Sequence, residues 1–381
     1  MSAIHYAARD GDWNLVNSLL HKGVVDVDER GEALLEDSFD PEQVTALHIS
    51  CDAGHLKISR LLLDRGADLN AKRDLIDLTP LHGACNQFDL AGMYLLLAYG
   101  ADLEARWTHA IELGLIVQGS IVRNTGFVGS SVRLLVERGV EVNRFNTWYE
   151  TPLNIACQHQ NLEMMRLLLE GGANIEMTND VDETHLHHVC EEGYLESARL
   201  LLDSGANLEA KNADDDTPLG YACGSGKGAV ARLLVDRGAN VNALSQDDTC
   251  TPLLHACRGG HVEIVQLLLD HHADIEAEDC AGHTALHVAC EGYQASVADV
   301  RLLLDRRANI EARTPDGYTP LHIACQHTDM EIVRLLLGRG AAVQVRTAER
   351  GMTSLLLASE KRSHEVVWLL IRRFPWIIMG T

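Results

Sequence analysis

Nineteen histidines and ten cysteines in 381 residues are the first candidates for chemistry. Imidazole serves as metal ligand and proton carrier, and thiolate as nucleophile. The densest group is His185, His187 and His188 in THLHHVC. On a helix these three positions do not share one face, so they cannot converge on a metal ion. HEVVW at His364 lacks the second histidine of a zinc-protease helix, and GSGKG at Gly224 lacks the spacing and hydroxyl residue of a phosphate loop. A further set, His159, His188, Glu191, Glu192, Tyr194 and Tyr221, supplies imidazole, carboxylate and phenol, which perform acid–base work if one groove gathers them. No nucleophile signature or metal set accompanies it, and no cofactor is implied.

What positions these residues is a repeat. Residues Tyr318 to Val345 read YTPLHIACQHTDMEIVRLLLGRGAAVQV, and the same order returns along the chain. Its threonine stands at Thr45, Thr79, Thr151, Thr184, Thr217, Thr251, Thr284, Thr319 and Thr353, spaced by 33 to 35 residues apart from one gap of 72. That gap is two periods and hides a unit. A closing marker gives the same count: Gly23, Gly66, Gly100, Gly139, Gly172, Gly205, Gly238, His272, Arg307 and Gly340. Eleven repeats result, the first and last truncated. Thr is a good helix N-cap, Pro fits the first helical turn, and Gly suits the left-handed residue past a helix end. His272 and Arg307 must take that conformation at a modest local cost. Each unit is too small to fold alone, so stacking supplies the core.

A period near 33 that opens with TPLHxA resembles the ankyrin repeat, a turn plus two antiparallel helices. The resemblance covers essentially the whole chain. It implies an all-α solenoid of stacked helix-turn-helix units with β-hairpin fingers and a concave face. It also implies that His48, His82, His187, His287 and His322, in the fourth motif position, make structural hydrogen bonds within or between repeats. The implied function is a non-enzymatic scaffold or adaptor that binds a protein. The alternative is a small-molecule enzyme of isomerase, cyclase or hydrolase type, using the groove near repeats four to seven. We read one domain over 1–381: an N-terminal cap at 1–28, an acidic insertion at 29–44, repeats over 45–352 with an irregular fourth at 101–143, and a capping repeat at 353–381.

Acidic residues outnumber basic ones by 55 to 32, a formal charge of −23. Nucleic acid and anionic membrane surfaces are therefore disfavoured as partners. No apolar run reaches membrane-spanning length, because Arg372 and Arg373 interrupt the C-terminal one. Eight cysteines (Cys51, Cys85, Cys157, Cys190, Cys223, Cys257, Cys290 and Cys325) share one motif position. They read as buried, reduced thiols, which suits cytosol or nucleus, and near-consensus repeats with this Cys-rich motif resemble eukaryotic arrays. Cys250 and Cys280 fall in fingers and are expected to be the reactive pair. A monomer is expected.

Candidate binding residues lie in the fingers. Trp107 stands just before the motif position of the irregular fourth unit, and the next finger carries Phe145, Trp148 and Tyr149, typical interface anchors that alternatively pack over the damaged repeat. The following fingers are acidic: Asp180, Asp182 and Glu183; Asp214, Asp215 and Asp216; Asp247 and Asp248; Glu278 and Asp279. Stacked in register they would form a negative ridge for a basic partner segment, or simply a solvated edge. Glu29 to Val44 reads as a surface loop or docking loop, and Gln118 to Ser131 as an interhelical loop. Ile111 to Val117 stands where the fourth motif belongs. The apolar tail, Phe374 to Met379, reads as a lid on the last repeat or a contact between copies.

Overall fold

The computed structural model describes residues 2–33, 42–73, 78–87, 89–102, 127–146, 150–246, 249–291 and 296–374. They fall into two compact units, Met1–Ile175 and Glu176–Thr381. Each is built of paired short helices, with the first helices packed on first helices of neighbouring repeats and second on second.

The motif explains the first helix of each pair. In repeat six it is His185–Glu192, capped by Thr184; in repeat seven, Pro218–Gly224, capped by Thr217; in repeat eight, Pro252–Arg258, capped by Thr251. Where the fourth motif residue is histidine, its Nδ1 accepts the backbone N–H of the capping threonine, at 3.1 Å in His187 and 3.2 Å in His287. This is a capping box with imidazole in place of the usual carboxylate or amide. The other ring nitrogen reaches out of the repeat. Nε2 of His187 lies 3.0 Å from the Asp216 carbonyl, that of His287 3.1 Å from Tyr318, and that of His322 3.0 Å from Val345. In the first unit His5 meets Val44 and His48 meets Leu78 in the same way. Each such histidine is a clamp between neighbouring repeats, as the family resemblance implied.

The second helices, such as Leu195–Asp203 and Met330–Gly338, bury one apolar face; Ile332, Val333, Leu336 and Leu337 are all buried. Burial of each such side chain contributes roughly 1.5–3 kcal/mol. The glycine after the helix has positive φ, 93° at Gly205 and 95° at Gly340. His272 and Arg307 take φ of 67° and 70° at the same place, as expected.

A further rail joins the repeats where a loop turns toward the finger. Glu176 accepts the backbone N–H of Asn207, Glu209 that of Asn240, Glu276 that of Asn309 and Glu311 that of Ala342, at 2.7 to 2.8 Å. In the first unit Asp28 and Asn70 do the same for Asp68 and Asp102. Part of the acidic excess is therefore structural.

Two loop readings are corrected. The acidic insertion begins and ends as strands: Gly31–Ala33 pairs antiparallel with Glu42–Val44, Gly31 opposite Val44. Val44 is the one β-branched residue of the pair; it is buried and its carbonyl meets His5, an anchor from another repeat that composition does not show. The stretch read as a loop to Ser131 is already helical from Phe127, in Phe127–Glu137, because its apolar residues serve a second helix. Ile111 to Val117 and the tail beyond Phe374 lie outside the described residues.

Candidate protein-interaction surface

The fingers of the second unit are tight turns made by their own polar residues. In repeat six, the N–H of Asp182 bonds the Asn179 carbonyl, while the Asn179 side chain accepts from Val181 and Glu183. In repeat seven, Asn212 plays the same part for Asp214, Asp215 and Asp216. The turn requires a left-handed residue, and Asp182 and Asp215 supply it with φ of 59° each. Gly282 and Gly317 stand there in later fingers, at 75° and 80°. Aspartate tolerates this conformation better than most side chains, so these two acids have a conformational reason as well as a charge. Neighbouring tips are tied by backbone hydrogen bonds, Ala213 N–H to Val181 at 3.1 Å and Gln246 N–H to Asp214 at 2.8 Å.

These ties bring the tips of repeats six to eight into one edge. Asp180, Asp182 and Asp214 are exposed; Asp215 and Asp216 are half-buried. Lys211 pairs with Asp215 at 3.3 Å. Asp279 is not part of the edge. It is buried, its Oδ1 accepts from Ala281 and His283, and its Oδ2 lies 3.6 Å from both Arg258 and the His283 ring. Asp279 opens its turn, as Asn179 and Asn212 do, and a turn-opening side chain folds inward. Asp247 and Asp248 lie outside the described residues, as do Trp107, Trp148 and Tyr149. Phe145 is described and 37% exposed. Sequence reading missed two apolar side chains among the acids: Val181, 45% exposed, and Leu244, 52% exposed. An apolar residue within a charged turn was the available signal.

Behind the tips, the residue that follows the motif histidine forms a row. It is Ile49, Ile155, Val288 and Ile323 in other repeats, but His188, Tyr221 and His255 in repeats six to eight. The Tyr221 hydroxyl donates to Glu183 and accepts from Asn212 Nδ2 at 2.9 Å. Burial, followed by the Glu183 hydrogen bond, pushes this phenol well above its ordinary pKa. His188 stands edge-on to Tyr194, with ring centroids 6.3 Å apart, while Glu191 and Glu192 are exposed. Of the acid–base set, then, the Tyr221 phenol is committed to Glu183 and Asn212 within the fold. No group of three or more metal-ligating side chains occurs among the described residues.

None of the ten cysteines forms a disulfide. Burial pushes Cys51, Cys157 and Cys325 up to about 12 and raises Cys190, Cys223, Cys257 and Cys290 as well. Such thiols are poor nucleophiles. Cys280 is exposed as expected, but Cys250 is buried. It immediately precedes the capping Thr251, and the chain there turns inward, where Leu78 stands in repeat three. No described helix is long and apolar enough to cross a membrane.

Comparison with known proteins agrees with this architecture. The ankyrin-repeat family profile, described as "Ankyrin repeats (3 copies)", matches residues 4–106, 121–212, 172–245, 204–279, 243–314 and 295–375. The human ASB11 ankyrin repeat domain aligns with a TM-score of 0.53 and 30% identity, over 59% of this chain and 98% of that one. The ankyrin repeat domain of Bcl-3, described as a unique member of the IκB protein family, aligns with a TM-score of 0.51 and 30% identity, over 59% and 97%. No curated protein sequence matches significantly. Phased threonine caps, histidine clamps, paired helices and a family match along nearly the whole length lead to one conclusion: the chain belongs to the ankyrin-repeat family.

Proposed function

We propose that the chain is a non-enzymatic adaptor whose second unit binds a basic, extended segment of a partner protein along the finger tips of repeats six to eight. Ankyrin repeats present extended binding surfaces of this kind. The observation that carries the reading is the tied edge of exposed Asp180, Asp182 and Asp214, with Val181 exposed between the first two and Leu244 exposed near Asp215 and Asp216. Charge at such an edge raises encounter rate and sets orientation, and apolar side chains supply the burial that holds a complex. The row of buried thiols favours a reducing compartment, cytosol or nucleus, and we read the working form as a monomer.

Affinity capture with the full chain tests this, comparing wild type with a variant carrying Asp180→Asn, Asp182→Asn and Asp214→Asn. The proteins captured are then tiled as peptides to find the bound segment. The expected segment is rich in Arg and Lys, is lost in the variant, and binds more weakly at high salt, since the screening length is only about 8 Å at physiological ionic strength. A bound segment that is neutral or acidic, or capture indifferent to both salt and variant, contradicts the proposal.

A further inference from the structure

The second helices carry a row of exposed arginines at their fifth residue: Arg60, Arg166, Arg199, Arg232, Arg301 and Arg334. In the earlier repeats an acid follows one turn later, at the ninth residue, as in Asp64, Glu170, Asp203 and Asp236. Positions four apart share a helix face, so there the row is balanced and a solvated surface accounts for it. Toward repeats nine to eleven the balance fails. Asp305, the ninth residue in repeat nine, is drawn to Arg339 at 2.9 Å. In repeat ten the ninth residue is Gly338, and in repeat eleven Arg372. Arg301 and Arg334 form no ion pair among the described residues. The fifth residue of repeat eleven is Trp368, 61% exposed, with the Arg372 guanidinium 4.9 Å from its ring centroid. Val297–Asp305, Met330–Gly338 and His364–Arg373 pack in that order. Arg301, Arg334 and Trp368 therefore stand side by side on neighbouring helices, whose axes lie about 8–10 Å apart.

We propose that this face of repeats nine to eleven docks an acidic, extended segment of a second partner protein, with carboxylates on Arg301 and Arg334 and an apolar side chain on Trp368. Charge complementarity selects the partner: a guanidinium stays charged and pairs with a carboxylate through two parallel hydrogen bonds. Tryptophan supplies the apolar burial typical of an interface anchor. The helix spacing sets the register, because three residues of extended chain, at roughly 3.3 Å each, span one interhelical step. The segment thus carries acids three residues apart and an apolar residue three further on. The net charge of −23 opposes such a partner at long range. At physiological ionic strength the screening length is about 8 Å, so a seated segment senses these arginines rather than the distant finger acids. An adaptor with both surfaces would join a basic partner to an acidic one.

Fluorescence anisotropy with the full chain at physiological salt tests this, using a labelled peptide Glu-Ser-Ser-Glu-Ser-Ser-Phe. Wild type should bind it. Arg301→Gln with Arg334→Gln should weaken it at least about tenfold, and Trp368→Ser about fivefold. Arg199→Gln with Arg232→Gln removes the same charge from helices that keep their acids, and should leave the affinity unchanged. All these side chains are exposed, so unchanged thermal midpoints are expected of every variant. No binding to wild type, or binding indifferent to Arg301 and Arg334, overturns the proposal. Equal losses in the two arginine pairs overturn it too, because they reveal diffuse attraction alone. Sedimentation of the chain by itself, over a range of concentrations, tests for a second copy on this face. Self-association that Arg301→Gln with Arg334→Gln abolishes rules out a separate partner. The variant with Asp180→Asn, Asp182→Asn and Asp214→Asn should bind the acidic peptide as wild type does, so this face and the finger-tip edge stand or fall separately.

Discussion

His187 uses both ring nitrogens for backbone groups whose roles are fixed: Nδ1 must accept from the Thr184 N–H, and Nε2 must donate to the Asp216 carbonyl. Only the neutral ring with its proton on Nε2 satisfies both. Burial, the largest influence on each, accordingly holds His5, His187 and His322 below the ordinary value, and brings His48 down to about 3 and His287 to about 4. The unfolded chain takes up these protons near pH 6.5 and the folded chain does not, so stability must fall as pH drops from about 6.5 towards 4. His48 and His287 each remove on the order of 1.4 kcal/mol of stability per pH unit of fall across that window. His287→Ala should cost about 2–3 kcal/mol at pH 7, from the lost clamp and the space left behind. It should also flatten the loss between pH 7 and pH 5. Urea unfolding of both proteins at the two pH values checks this; parallel pH slopes would show that the clamp does not depend on the neutral ring.

At the scale of the element, one second helix breaks its own pattern. The third residue of Val262–Asp270 is Ile264 and that of Met330–Gly338 is Ile332, both buried; in Val297–Asp305 it is Asp299. Asp299 is fully buried, and neither carboxylate oxygen has a hydrogen-bond partner. Burial raises its carboxyl to about 6, opposed only by the polar Ser296 side chain nearby. The sign is the reverse of the histidines: the contribution is favourable below about pH 3.9, where both states are protonated, and is lost as pH rises through 6. Asp299→Ile should therefore stabilise the protein by roughly 2–3 kcal/mol at pH 7.5, with the gain shrinking toward pH 4. Thermal unfolding across that range measures it, and a destabilised variant at pH 7.5 would mean that the carboxylate has a role the packing does not reveal.

Much of this was legible in the sequence, for a local reason. Caps, first-turn prolines and closing glycines act within a few residues and recur at a fixed period, so Thr217, Pro218 and Gly238 declare their own positions. The finger acids were not separable in this way. Asp214 and Asp279 are the same letter in turns two repeats apart, but Asp279 opens its turn and is buried while Asp214 is displayed. The rail of Glu176, Glu209, Glu276 and Glu311 repeats faithfully enough to have been seen, but its partners are backbone N–H groups about one repeat away, which no side-chain pattern reveals.

At the scale of the whole molecule, a charge of −23 sustains a field that repels polyanions and other acidic surfaces while drawing basic segments. The described chain uses part of that charge internally, in the rail and in ion pairs such as Asp203 with Arg237 at 2.8 Å and Asp305 with Arg339 at 2.9 Å. Exposed ion pairs of this kind contribute little stability, about 0–1 kcal/mol each. The acids displayed at the described tips of repeats six and seven, Asp180, Asp182 and Asp214, take no part in that rail, and the proposed function rests on them. Hydrogen exchange of the full chain, alone and saturated with the partner segment recovered by capture, tests that assignment most directly. The account predicts slowed exchange at residues 178–184, 212–217 and 244–251, fading as salt is raised. Protection confined to the first unit, or to the second helices such as Leu195–Asp203 and Val262–Asp270, would contradict it.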